Sequence, residues 1–454
     1  MENLHTKQSY KGEWFLPGSP DNKCFGELKY DETGITLSVH GFLSGEFLLY
    51  SAETHDVIFG IIEGSIKVTL SGVFLMQRGN VTFTVDTDTY TPDNIYRVNY
   101  CMVGEHYIDG MKHPFKSIKA QIPNLDEWVC HTGWKMPELP FGRKKQIKLQ
   151  YKLHRNIDFD IQGEQLNGAF QFSINSPAIP ITGIKEVHMR QTTSLLLKSR
   201  KGRTVTDWMQ QVLKFQSFLV LAIGKCTNVE KFSLIDSKAK KEVFLLDNQT
   251  DSNSIKIYSP LDMLFTYSNV KDDFSMYINN WYELWGKLDD MIWLLIEQFY
   301  HAPRASSVDF LHLAQLAESL HLKLYNHPRE PKAEYRKKTK EIISSVPEQH
   351  KEFIQRILSN SNSLTLSERL VELIDKCPQE LLNTIVTDKD EFLKKVKDTR
   401  NFYTHYDPSN KTRIASGKDL YELSKQLHVL LMSIIFIEIG LPNECIMRLK
   451  MLRY

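Results

Sequence analysis

The sequence predicts an α+β protein, with an antiparallel β-rich, sandwich- or barrel-like amino-terminal domain followed by an all-α carboxy-terminal bundle. Three observations predict it. Over roughly the first 200 residues, apolar and aromatic side chains fall at every second position, the period of a strand with one buried face. From Ser306 onward they recur at helical spacing, with short connections, as in a bundle. Between these stretches both periods occur in turn. The shifts place boundaries at 1–203, 204–304 and 305–454.

Size and composition fit this layout. A chain of 454 residues, 42% hydrophobic and 24% charged, is long enough for several buried cores. The opening "MENLHTKQSYKGEWFLPG" has no basic stretch leading into an apolar one, so no signal peptide is expected. The longest apolar run, "VLLMSIIFIEIGL", falls short of the roughly 18 residues a membrane span needs. It also carries Glu438, so a core helix and no membrane contact are expected. Six scattered cysteines (24, 101, 130, 226, 377, 445) contain no CxxC pair. They read as reduced thiols of a cytoplasmic protein rather than a disulfide frame or zinc site. Net charge is +1, and residues 305–454 hold 23 basic against 20 acidic side chains. A polyanion site must therefore be built locally, from a few aimed cations.

The strand pattern appears in "GITLSVHGF", "SIKVTLSGVFLM", "NVTFTVDTDTY", "IKLQYKLHRNIDFDI" and "FQFSIN". Turn residues such as Asp31-Glu32-Thr33-Gly34, Gly79-Asn80 and Pro92-Asp93-Asn94 punctuate them. A basic link, "KSRKGRTVTD", is expected to close the region. After it come a buried helix in "DWMQQVLKFQSFLVLAIGK", two short strands ("KFSLID", "KEVFLLD") and one long helix through "FSMYINNWYELWGKLDDMIWLLIEQFY". Trp281, Trp285 and Trp293 on that helix read as core packing. His301-Ala302-Pro303 interrupts it. Helices of the bundle follow in "SVDFLHLAQLAESLHLKLY", "EYRKKTKEIIS", "EQHKEFIQRILS", "LSERLVELIDK", "DEFLKKVKDTRNFYTH" and "GKDLYELSKQLHVLLMSIIFIEIG".

The segment that can carry chemistry is "KKVKDTRNFYTHYDPSN". Thr387 is the expected N-cap of its helix, which must end before Pro408. At 100° per residue, Phe392, Val396, Tyr403 and Leu393 form the core stripe, with Arg400 inside it. Lys394, Lys397, Asn401 and His405 fall on the opposite side. Arg400 and His405 are then about 140° apart. They converge on one substrate only if the last turn unwinds or a second copy supplies the missing partner. The bare spacing is weak, since about two such Arg–His matches are expected by chance in a chain this long. Arg400 could equally pair with an acid on a neighbouring helix, and the lysines could form a solvated face.

"RNFYTH" resembles the R-[polar]-x3-H signature of HEPN-domain ribonucleases. "FLHLAQLAESLH" and "TRNFYTHYD" resemble the ApeA-type HEPN domain in particular. The opening "KGEWFLPG…CFGELKYDETGITLSVHG" resembles the ApeA amino-terminal domain. The resemblance implies an anti-phage protein acting by abortive infection through metal-independent cleavage of host or phage RNA, transfer RNA among the candidates. It implies no cofactor, a homodimer or larger assembly with the cutting site shared between copies, and a phage-encoded trigger sensed by the β-rich half. His405 would serve as general base or acid, Arg400 would hold the scissile phosphate, and Asn401 would position phosphate or imidazole. Lys394 and Lys397 would track the RNA backbone. Some HEPN toxins carry a modifiable tyrosine two residues after the histidine; here Asp407 stands there, with Tyr406 one earlier. The alternative function is a non-catalytic HEPN scaffold in which Arg400 is structural.

Other candidates are weaker. His312, His321 and His327 have spacings that fit no ligand pattern on a helix. "KSRKGR" and "RKKTKE" read as solvated surface. No Walker loop, dinucleotide fingerprint or nucleophile elbow occurs.

Overall fold

The computed structural model describes residues 8–31, 33–44, 54–78, 93–135, 150–175, 189–236, 241–247, 256–302, 304–406 and 413–452. The chain divides into two compact units: Met1–Leu219 with Thr227–Asp262, and Val220–Cys226 with Met263–Tyr454.

The first unit is antiparallel β. Strands β1 (Gln8–Phe15), β2 (Cys24–Asp31), β3 (Gly34–His40), β4 (Thr54–Ile62), β5 (Ile66–Gln77) and β6 (Asp93–Val103) pair in the order β6-β3-β2-β1-β4-β5. Strand β5 then pairs back onto β6, which closes six strands into a barrel. Every second side chain points inward, and Trp14, Ile35, Leu37, Ile58, Val68 and Val98 are fully buried in one cluster. Gly60 is required there: a Cβ at that position would lie 2.2 Å from the Trp14 ring.

The chain continues through β7 (Phe115–Gln121), α1 (Leu125–Val129), β8 (Trp134–Lys135), β9 (Gln150–Tyr151), β10 (Ile157–Ile161), β11 (Leu166–Asn175), β12 (Arg190–Arg203), α2 (Val205–Ile223), β13 (Lys231–Asp236) and β14 (Lys241–Asp247). Strand β14 pairs with the second half of β6, so the sheet runs on from the barrel as β14-β13-β7-β12-β11-β10. Strands β8 and β9 form a separate pair. Phe159 and Phe170 on this sheet meet Phe215 of α2, and Trp128 of α1 meets both Phe170 and Phe218.

The α+β layout holds, and several local expectations change. "KSRKGR" is not a link but the charged end of β12, still paired with β7 at Arg203. Residues 204–304, read from sequence as a connecting region, are divided between the units. Strands β13 and β14 complete the sheet: their backbone groups find partners on both edges, β13 on β7 and β14, β14 on β13 and β6. The expected strand in "NVTFTVDTDTY" lies outside the described residues.

The second unit is helical: α3 (Tyr267–Val270), α4 (Phe274–Leu288), α5 (Trp293–Ile296), α6 (Ser307–Tyr325), α7 (Lys332–Ser345), α8 (Glu348–Asn360), α9 (Leu366–Lys376), α10 (Gln379–Ile385), α11 (Lys389–His405), α12 (Lys418–Ile439) and α13 (Asn443–Met447). The single helix expected over 274–300 is instead α4 and α5 separated by a 3₁₀ turn at Asp289–Ile292 and followed by another at Glu297–Phe299. Trp281 is fully buried and its ring meets Trp285 edge-on, which in turn meets Trp293. Helix α12 is the centre of this unit. It is long and apolar enough by composition to cross a membrane, yet Leu427, Leu430, Leu431, Ile434, Ile435 and Phe436 are all fully buried in the unit.

Candidate active site

Helix α11 begins one residue later than the sequence suggests. Asp388, extended and carrying a charged acceptor, caps it by accepting from Glu391 N–H at 2.9 Å, rather than Thr387. Phe392, Leu393, Val396 and Thr399 are buried. Thr399 Oγ1 accepts from Ala415 N–H at 2.9 Å, and the Tyr403 hydroxyl reaches Ala415 O at 3.4 Å. The chain entering α12 is thereby pinned along the last turns of α11. The helix is intact through His405 and stops at Tyr406, whose left-handed backbone (φ 51°) leaves its N–H on Phe402 O.

Arg400 is not in the core. It sits at the edge of the buried stripe with its side chain 35% exposed, paired to Glu318 of α6 at 3.5 Å and donating to Asn401 Oδ1 at 3.3 Å. Glu318 is itself 41% exposed. Arg400 is therefore oriented by an acid that water also reaches, and its own side chain is partly open to water. His405 is exposed, as are Lys394 and Lys397, which have no acidic partner among the described residues. Asn401 is half-buried beside Arg400. Because the last turn does not unwind, Arg400 and His405 of one chain stay about 140° apart around the helix and about 7.5 Å along it. The structure brings Arg400 and Asn401 together and leaves His405 on another face.

Residues 9–281 match the family profile described as ApeA N-terminal domain 1. The chain belongs to the ApeA family. Residues 311–445 match the profile described as Apea-like HEPN, so α11 with Arg400, Asn401 and His405 lies inside the HEPN part of this ApeA chain. Neither a curated relative nor a solved structure matches the chain significantly.

In the HEPN region of this ApeA-family chain, the one group among the described residues with metal-ligand geometry is His321, His327 and Glu372, whose ligand atoms lie within 4.8 Å of one another. The histidine spacing alone missed it, because the carboxylate comes from α9. Its hydrogen bonds argue against a metal. Arg369 Nη1 is 3.0 Å from His321 Nδ1, and a guanidinium only donates, so Nδ1 must accept. The ring proton is then on Nε2, which donates to Glu372 at 2.7 Å and has no lone pair left for a metal. His327 donates from Nδ1 to Pro328 O and from Nε2 to Glu372, an arrangement that favours the imidazolium and raises its pKa. The pair of histidines holds Glu372 below the usual carboxylate range. The cluster is a clamp tying α6, the turn after it and α9.

Sequence reasoning also missed Glu318. Its only signal was indirect: a cation expected near an apolar stripe needs an acid somewhere, and nothing in the spacing pointed 82 residues upstream.

Proposed function

We propose that this protein is an anti-phage endoribonuclease of the cytoplasm that cuts RNA through Arg400, Asn401 and His405, in a site assembled from two chains. The observation that carries this reading is the exposed His405 at the end of an unbroken α11, five residues beyond a partly exposed Arg400. An imidazole there can take the proton from a ribose 2′-hydroxyl, whose oxygen attacks phosphorus while the bond to the 5′ oxygen breaks and that oxygen takes a proton from solvent. The guanidinium bears the charge that develops on the phosphoryl oxygens, with Asn401 fixing its orientation. The chemistry needs no metal. Lys394 and Lys397, on the His405 side, would follow the RNA backbone. The angular separation on one helix supports pairing Arg400 of one protomer with His405 of the partner subunit.

The test is complementation in trans. Arg400→Ala and His405→Ala proteins are expected to be inactive alone. Mixed in equal amounts and re-equilibrated, about half of the dimers are hybrids in which one of two sites keeps both groups, so cleavage should return to about a quarter of the wild-type level. If each variant is inactive and the mixture stays inactive, the shared site is wrong. If His405→Ala cuts as wild type, the assignment of the chemistry to His405 fails. The second reading, a non-catalytic scaffold, is favoured by the Arg400–Glu318 pair alone and is left standing only if the wild-type protein itself cuts no RNA.

A further inference from the structure

Helices α7 and α8 form a hairpin that contributes nothing to the core. No described side chain on either helix is buried. The two helices are held together by contacts such as the Tyr335 hydroxyl donating to Leu358 O at 2.6 Å. The hairpin is fastened at its root, where Arg329 makes a two-pronged pair with Glu368 (2.8 and 2.6 Å) and donates to Ser361 O at 2.6 Å.

One side of α7, flanking the half-buried stripe of Tyr335, Thr339, Ile342 and Ile343, is basic. Lys332, Arg336 and Lys340 repeat every fourth residue and so form one ridge rising about 6 Å per step, with Lys337 beside it. All four are exposed and none has an acidic partner among the described residues. Lys338, on another side, is the one α7 cation neutralised, by Glu330 at 2.6 Å. The acids of α7, Glu334 and Glu341, lie away from Lys332 and Arg336, whereas Lys337 stands three residues after Glu334 and four before Glu341.

Position adds the second argument. Lys389, at the start of α11, pairs with Asp375 at the end of α9 (2.5 Å), and the two helices pack against each other. They therefore run antiparallel. Counting 11 residues up α11 to Arg400 and nine back along α9 to Leu366 covers about 16 Å and 14 Å in the same direction. The root of the hairpin, on the first turn of α9, thus stands at the end of the bundle that carries Arg400 and His405.

We infer that the α7–α8 hairpin is an RNA-docking arm, whose ridge of Lys332, Arg336, Lys337 and Lys340 grips substrate backbone beyond the cut. The inference rests on the ribonuclease reading for the identity of the polyanion. Four unneutralised cations on a surface that serves no packing suit a phosphodiester chain, which they bind without regard to sequence. A protein partner would instead use Phe353 and Ile357, which are 55% and 51% exposed on α8.

The experiment measures capture apart from cutting, with full-length His405→Ala protein and a fluorescent 2′-O-methyl RNA strand that cannot be cleaved. Relative to that background, adding Arg336→Gln, Lys337→Gln and Lys340→Gln should weaken binding about tenfold or more and flatten the log K against log salt slope by about 2. Phe353→Ala with Ile357→Ala should change binding much less. Unchanged affinity and slope in the triple variant overturn the arm. So does loss of self-association or of RNA capture only in the Phe353/Ile357 variant, which would mark a protein-docking face. Wild-type protein that binds through the ridge but never cuts would sink the ribonuclease reading and leave the arm in place.

Discussion

Arg400 shows how far a helical wheel reaches at the scale of a residue. The wheel set Arg400 in the core stripe and Lys394, Lys397 and His405 opposite it; the latter three are exposed, whereas Arg400 is displaced to the margin because Glu318 draws it outward. An ideal wheel carries no information about a neighbouring helix. Since His405 is exposed, His405→Ala should leave stability within about 0.5 kcal/mol and lower RNA cleavage by about 10²- to 10⁴-fold, read from thermal melts and gel assays of one preparation. Glu318→Gln separates a structural from a chemical arginine. A half-exposed pair contributes about 0–1 kcal/mol, so the melting temperature should barely move. A loss of several kcal/mol would instead mark Arg400 as a structural pin.

Elements were legible where one local rule governs them. The core face of α11 follows from its period, with Phe392, Leu393 and Val396 buried, although its cap moved by one residue, to Asp388. What was not legible depended on pairing between distant segments, as when "KSRKGR" became the end of a strand only because β7 lies beside it. Thr399 is a similar case. Its hydroxyl accepts the Ala415 N–H in a buried site, so Thr399→Val should cost about 1–3 kcal/mol and reduce cleavage in proportion to unfolded protein. The His321–Glu372–His327 clamp gives a pH dependence. His327, raised by the Pro328 carbonyl and then Glu372, adds stability in full below the ordinary imidazole value, and this is lost as pH rises through the raised one. Glu372, lowered first by His321, adds stability above the ordinary carboxylate value, lost as pH falls through the lowered one. The clamp is therefore strongest between about pH 4.5 and 6.5. His327→Ala should destabilise most near pH 5.5 and progressively less as pH rises through the raised imidazole value, seen as a converging pair of melting curves.

For the whole molecule, the α+β class and the order of its halves could be read from two periodicities, because each reflects which faces are buried. Barrel closure could not. It depends on β5 returning to β6 across a stretch of chain whose own residues carry no sign of that partner. Gly60 gives a check on the closed form: Gly60→Ala drives a methyl into the Trp14 ring, and overpacking of this kind costs about 1–3 kcal/mol. Tryptophan fluorescence should report an earlier denaturant midpoint. Strand β6 has a consequence of its own. It is zipped to β3 through Asp93–Val98 and to β14 through Tyr100–Val103, while β5 lines its other edge. One backbone thus acts as the common ruler of two ladders. A slip by two notches in the barrel would have to be copied, notch for notch, in the open sheet, so that whatever tugs on either is felt by both.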